Sequence, residues 1–276
     1  MRFDILTIFP GFLSSPLNYG VLSRAIATGA VEVATHDLRD FTRDRHRTVD
    51  DRPFGGGEGM VLKPQPIFEC IESLAGPARI APKPVRDTSR QSVILLSAQG
   101  ARFTQAIAHR IATLQQVVLI CGRYEGVDER VNHLLADQEL SIGDYVLSGG
   151  ELAAAVVLDA VARLLPGVLG HADSARYESF GAGDDPTQEM TADGVPRSTH
   201  GAGGLLDYPH YTRPADFRGT PIPDVLANGD HAAIRLWRRH QALAKTLHNR
   251  PDLLPQAILT DEDREYLADL GYDDWT

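Results

Sequence analysis

Cysteine is scarce in this chain: Cys70 and Cys121 are the two present, each inside an apolar periodic segment and without a partner at metal-ligand spacing. Neither a disulfide framework nor a thiolate zinc site is implied, and both thiols read as reduced core residues. Long uninterrupted apolar runs are missing as well. The most apolar region, Leu152 to Leu169, is broken by Asp159, Arg163 and Pro166, so it reads as a buried helix and not a membrane span. The first ten residues lack the basic flank, long apolar centre and small-residue cleavage site of a secretory signal; they read as a first strand, and the expected location is cytoplasmic. Positive charge is in deficit, with Lys+Arg 27 against Asp+Glu 37 and a formal net charge of -10, which taken alone disfavours nucleic acid as a partner.

The distribution of charge qualifies that sum. Arg39, Arg43, Arg45, His46, Arg47 and Arg52 cluster early, and His231, Arg235, Arg238, Arg239, His240, Lys245, His248 and Arg250 cluster late, with no acid between 231 and 250. The early cluster lies in a polar stretch, 39–60, that is too long for a simple connection. Two readings fit it: a solvated salt-bridge face, or arginines on phosphates with Asp50 or Asp51 left to accept hydrogen bonds from a base edge. The glycine run from Gly55 to Gly59 is no phosphate loop, because no Gly-Lys-Ser/Thr follows and no strand immediately precedes it.

Through residue 169 strand and helix patterns alternate, which predicts an α/β fold. Strands are expected at Arg2 to Phe9, Val31 to His36, Ser92 to Ser97 and Val117 to Cys121, and helices at Gly20 to Ala30, Pro66 to Leu74 and Phe103 to Gln116. The organising stretch is Val117 to Glu151. Its apolar run ends in Gly122-Arg123-Tyr124-Glu125-Gly126, it closes on Ser141 to Glu151, and a third corner stands at Ala98-Gln99-Gly100. Ligands of open α/β sheets sit beyond the carboxyl ends of strands, so three such corners suggest a small-molecule site built from backbone; turn punctuation is the alternative for any one of them. Ser148 and Glu151 also stand at capping-box spacing for a helix start.

After Pro166-Gly167-Val168-Leu169-Gly170 the composition changes. Residues 172–206 are rich in Gly, Asp, Thr, Ser and Pro and read as a flexible interdomain linker, with Tyr177-Glu178-Ser179-Phe180 as an aromatic-flanked patch inside it. From Asp207 a small helical domain is expected. Asp230 is the N-cap of a helix from His231 to about Leu247, and Thr260 with Asp263 opens another that ends at Gly271. On the first helix Ile234, Trp237, Leu243 and Leu247 face the core, while Arg238, Arg239 and Lys245 project outward. The domains are thus 1–171, the linker 172–206, and 207–276.

Several long blocks, taken together and in order, resemble the bacterial tRNA (guanine-N1)-methyltransferases of the SPOUT class. They are Arg39-Asp40-Phe41-Thr42, Asp44 to Gly57, Cys121 to Arg130, Ser141 to Glu151, Pro166 to Gly170, and Pro209-His210-Tyr211-Thr212-Arg213-Pro214. The resemblance implies an α/β domain with a deep trefoil knot, a helical C-terminal domain, and a homodimer whose active sites lie at the subunit interface. It implies transfer of a methyl group from S-adenosylmethionine to N1 of guanosine 37 in tRNAs carrying G36-G37, with the tRNA anticodon stem-loop as partner, no membrane, and Mg2+ as a further candidate cofactor. The matching cofactor positions are Leu95, Leu96, Ser97, Ala98, Gly122, Tyr124, Glu125, Ile142, Gly143, Tyr145, Leu147, Gly149 and Gly150. Asp50, Gly59, Arg123, Glu125 and Ser179 match RNA-reading positions, joined by Arg238 and Arg239 of the C-terminal helix.

Catalytic roles follow from the same resemblance. Glu178 stands where the family places an aspartate as general base, Asp207 is the reserve candidate, and Arg163 matches the arginine that stabilises charge on guanine O6. Read without the resemblance, Arg163 is better explained by an i, i+4 ion pair with Asp159 near a helix C-terminus. Three departures stand out: Glu178 for aspartate, Ala98 where the family usually has proline, and an expected insertion after Phe180 to about Gly204. They leave a catalytically inert RNA-binding protein, or a SPOUT methyltransferase of another RNA, as alternatives.

Overall fold

The structure is a computed structural model that describes residues 1–75, 87–170, 175, 178–181 and 203–273. Most of the expected linker, Tyr177 included, lies outside the described residues. The chain divides into two compact units, Met1–Leu169 and Gly170–Thr276.

In the first unit, β1 (Arg2–Thr7) leads through α1 (Ser14–Leu17) and α2 (Gly20–Ala27) to β2 (Glu32–Asp37). The two-residue strands β3 (Asp50–Asp51) and β4 (Val61–Leu62) pair antiparallel and precede α3 (Pro64–Ala75). Then come β5 (Gln91–Arg102), α4 (Gln105–Ala112), β6 (Gln116–Cys121), α5 (Glu129–Leu134), β7 (Gln138–Ser141) and α6 (Glu151–Ala162). Five strands form one parallel sheet in the order β2-β1-β6-β5-β7. The unit is α/β, as the alternating pattern predicts.

Parallel sheets are covered on both faces, so their strands read as continuous apolar runs. Alternate residues of β6 show this: Val117, Leu119 and Cys121 enter one core with α2, α4 and α6, while Val118 and Ile120 enter a second with α3 and α5. Cys70 and Cys121 are both buried and free, one in each core. β5 runs further than expected. Its pairing with β7 shifts register between Leu96 and Ala101, so the expected corner at Ala98 to Gly100 is an irregularity within a longer strand. Gly100 is required there, because a Cβ would stand 2.5 Å from the backbone of Glu139 and Leu140.

The second unit holds a two-strand ribbon, β8 (Asp216–Phe217) with β9 (Thr220–Pro221), followed by α7 (His231–Asn249) and α8 (Asp261–Asp269). Asp230 caps α7 by accepting from the amides of Ala232 and Ala233, and Thr260 and Asp263 complete a capping box on α8. Its core is Leu205, Leu243, Leu254, Leu267 and Tyr272. Arg239 departs from the expected outward projection. It turns inward, its guanidinium bonded to Asp263 at 2.7 and 3.0 Å and to the Ile258 carbonyl at 3.0 Å. Arg238 is half-buried and lies 4.9 Å over the Tyr208 ring. Among the described residues no helix is long and apolar enough to cross a membrane.

Candidate functional site

A cavity of about 340 Å³ opens beside the register shift of β5 and beyond the carboxyl ends of β6 and β7. It is walled by Leu95, Leu96, Ser97 and Ala98 from β5, by Gly122, Tyr124 and Glu125 after β6, and by Ile142, Gly143, Tyr145, Leu147, Gly149 and Gly150 after β7. All of the expected cofactor positions therefore meet in one place. The walls combine apolar side chains with exposed backbone, the composition of a site that sandwiches a flat ring and reads its edge.

Glycine makes that geometry possible at Gly150. A Cβ there would sit 2.7 Å from the Cα of Cys121, and the Gly150 amide donates to the Gly122 carbonyl at 2.9 Å. The two corners are in backbone contact. Tyr145 folds its ring back over Gly143, where φ is +158° and a Cβ would meet the ring at 2.4 Å.

The capping box expected from Ser148 and Glu151 does not form. Gly150 is the N-cap of α6 and makes no side-chain cap. Glu151 is instead fully buried, accepting from Thr7 Oγ1 at 2.6 Å and from Arg123 Nε at 2.9 Å, with the Arg123 terminal nitrogen at 2.8 Å. Arg123, expected to read RNA, is thus turned inward: its side chain is 14% exposed and it also donates to the Ser148 carbonyl at 3.2 Å. Thr7 and the buried role of Glu151 are not legible in the sequence; the available signal is a glutamate that opens a helix whose one other charged residue is Asp159.

The remaining RNA-reading positions of the first unit lie along one rim. Asp50 pairs with Leu62 in the β3–β4 ribbon, the Leu62 amide donates to the Gly126 carbonyl at 3.0 Å, and the Glu125 amide donates to the Met60 carbonyl at 3.0 Å. A Cβ on Gly59 would meet Glu125 Oε1 at 2.6 Å. Between them Tyr124 adopts a left-handed backbone, φ +60°. Its phenol pKa is raised by burial first, then by the charge of Asp50 and a hydrogen bond to it. A second cavity of about 520 Å³ adjoins Gly59, lined also by Arg52, Pro53, Gly56, Gly57 and Met60.

Arg163 is the C-cap of α6, so it stands at the opposite end of that helix from the cavity rim. Twelve helical residues put about 18 Å between the two ends. Glu178, Ser179 and Asp207 belong to the second unit. Residues 178–181 form a turn in which the Gly181 amide donates to the Glu178 carbonyl at 3.0 Å and Phe180 takes φ +64°. The Phe180 amide donates to the Leu205 carbonyl at 2.9 Å, and the Asp207 amide donates to Ser179 Oγ at 2.9 Å. Asp207 itself accepts from the Tyr208 amide and lies 2.9 Å from His210 Nε2. Among the described residues no group of three His, Cys, Asp or Glu side chains is placed to hold a metal ion.

An α/β unit with a backbone-lined pocket at its strand ends is the framework of a small-molecule-dependent enzyme. Comparison with known proteins names the family. Residues 1–256 match the family described as tRNA (Guanine-1)-methyltransferase TrmD. The chain is 57% identical over 270 residues to the tRNA (guanine-N(1)-)-methyltransferase of Koribacter versatilis, covering 98% of each chain. It is 46% identical to the proteins of that name in Geobacter metallireducens, over 98% of each chain, and in Geobacter sulfurreducens, over 97% of each. The chain belongs to the TrmD family of tRNA (guanine-N1)-methyltransferases. Coverage so even leaves little net length by which this chain exceeds these relatives, against the expectation of a long insertion after Phe180.

Proposed function

We propose that this protein transfers the methyl group of S-adenosylmethionine to N1 of guanosine 37, on the 3′ side of the anticodon, in tRNAs carrying G36-G37. The observation that carries the reading is the meeting of all thirteen cofactor positions around one cavity, in a chain of this family. The cavity fits the group: Leu95, Leu96, Ile142 and Leu147 offer apolar faces to an adenine ring, and Gly122, Gly149 and Gly150 line the same cavity without side chains to fill it. S-adenosylmethionine, when bound, supplies an electrophilic methyl carbon on a sulfonium.

In this reading residues 1–171 form the knotted catalytic domain whose cavity loops would hold the cofactor, 172–206 the linker, and 207–276 the helical domain that holds the anticodon stem-loop. Asp50, Gly59 and Glu125 read the target guanine and its 5′ neighbour from the rim. Glu178 accepts the N1 proton as the N1–methyl bond forms and the carbon–sulfur pair stays on sulfur. Arg163 offsets the charge that builds on O6, a term that rises in the transition state and so accelerates the step. Asp207, whose carboxylate accepts from the Tyr208 amide and lies beside His210 Nε2, is the reserve candidate for the base.

Arg163 and the pocket occupy opposite ends of α6, which supports an active site shared between two copies in a homodimer. Leu152 and Val156, one turn apart on α6, are 49% and 46% exposed and suit burial against a second copy. Mg2+ is proposed as an accessory ion held largely through RNA and water, as suits a cation that gives up its waters reluctantly. The cytoplasm is the proposed location.

Purified protein incubated with labelled S-adenosylmethionine and anticodon stem-loops carrying G36-G37 tests the proposal. Label should enter the RNA and vanish when G37 is replaced. RNA binding without transfer would mark an inert scaffold, and transfer that survives replacement of G37 would mark another target.

A further inference from the structure

Glu151 has no charged neighbour expected from its place in the sequence, yet it is the most buried carboxylate beside the pocket, at 0% exposure. A buried ion pair is costly to desolvate, and well-packed apolar residues serve stability at least as well. The pair with Arg123 therefore calls for a reason beyond stability, and its connections supply one. Glu151 opens α6, Arg123 follows β6, and Thr7 ends β1, so one carboxylate joins three segments that are distant in the chain. The Thr7 hydroxyl is itself oriented by accepting the Phe9 amide at 2.9 Å. The guanidinium lies 4.6 Å from the Phe9 ring centroid, which covers it.

Two pocket corners take their positions from that guanidinium. Arg123 Nε would be 2.1 Å from a Cβ on Gly149, so the side chain lies flat on Gly149, and it also holds the Ser148 carbonyl. Arg123 and Gly149 form an antiparallel bridge. The next residue on one side is Gly122, and on the other is Tyr124, held in its left-handed backbone; both line the pocket. We infer that Arg123 and Glu151, braced by Thr7, are positioning residues that set the Gly122–Tyr124 corner against the Ser148–Gly150 loop, and so pre-form the site that takes the nucleoside of the methyl donor. This rests on the reading of the cavity as the S-adenosylmethionine site. It gives Arg123 a role in cofactor affinity in place of contact with RNA.

The test uses the full chain with S-adenosylmethionine and S-adenosylhomocysteine, whose affinities are measured by calorimetry, and an anticodon stem-loop, whose affinity is measured by fluorescence anisotropy. Arg123→Lys keeps the charge but loses the flat two-point contact. It should weaken both cofactors by on the order of tenfold, with a matching rise in the KM for donor, while kcat at saturating donor and RNA affinity hold. Thr7→Val should show a smaller effect of the same kind, and Thr7→Ser should restore wild-type affinity. A role confined to stability would lower the melting temperature of each variant without this split between KM and kcat. Should Glu151→Gln fail to fold, the Thr7 pair decides. Unchanged cofactor affinity in folded Arg123→Lys and Thr7→Val overturns the inference, as does a loss confined to RNA binding. Wild-type protein that binds neither cofactor would instead overturn the functional reading on which it rests.

Discussion

The amide of Asp207 donates to Ser179 Oγ at 2.9 Å, and with the Phe180–Leu205 bond it fastens the turn carrying Glu178 to a strand of chain rooted in the second unit's core. The base proposed here thus rides on a structured turn. The serine hydroxyl, matched by resemblance to RNA reading, is already serving as a backbone acceptor.

Glu178→Gln removes the proton acceptor and keeps the shape, so turnover should fall by about 10² to 10⁴ with cofactor affinity unchanged. Ser179→Ala keeps the carboxylate but loosens the turn; an intermediate fall in kcat is expected, since small misplacements of a reacting group are expensive. Single-turnover methyl transfer measures both. If Asp207→Asn abolishes turnover and Glu178→Gln does not, the two aspartate and glutamate roles are reversed.

Gly150→Ala and Gly59→Ala should fail differently. At position 150 the added carbon meets the Cα of Cys121 at 2.7 Å, a backbone atom of a central strand, so the corner must open and cofactor binding should be lost. At position 59 it meets the end of the Glu125 side chain, which can swing away, although φ +85° strains any side chain there. Cofactor affinity should survive Gly59→Ala, while discrimination between G36-G37 stem-loops and variants of them should weaken. Parallel calorimetry and competition methylation assays separate the two outcomes.

The legible parts of this protein are those whose causes are local. Val117 to Cys121 declares a doubly covered strand by its apolar run, and Asp230 and Thr260 announce helix starts because a cap and its amides lie within three residues. Glu151 is illegible for the opposite reason. Its local spacing points to Ser148, whereas its partner Thr7 is 144 positions away and its other partner Arg123 is 28 away. The helical wheel likewise sends Arg239 outward, and only Asp263, 24 positions further on, explains why it turns in. The pocket is legible as the two glycine corners after β6 and β7, but not the contact between them or the continuation of β5 beside them, which depend on how β5, β6 and β7 are ordered in space.

Acid should unfold the two units through two carboxylates. Burial would raise the pKa of Asp4, but hydrogen bonds from His36, Arg2 and Gln116 outweigh it and hold the group well below the usual carboxylate range. Asp263 is lowered in the same sense, burial being outweighed by Arg239 and Thr260. Because both folded values lie below the unfolded value of about 3.9, each group's stabilisation is fully present above that pH and is lost as pH falls toward the folded value. Melting temperature should therefore drop steeply below about pH 4. Asp4→Asn and Asp263→Asn should each flatten that dependence while lowering stability at neutral pH.

The Arg239–Asp263 pair gives the sharper form of this prediction. With side chains 12% and 6% exposed, Asp263→Ala leaves a buried guanidinium uncompensated and also removes half of the α8 capping box. Loss of one partner of a buried pair costs roughly 3–5 kcal/mol, so the second unit should unfold separately and at lower temperature in calorimetry. The first unit's transition should stay in place, and S-adenosylmethionine should still raise it, because the cavity proposed to hold it is walled by residues of the first unit alone. RNA affinity should fall with the second unit's fold. Replacing both partners together, as Arg239→Met with Asp263→Ala, should recover part of the lost stability, because no charge is then left buried without a counterpart.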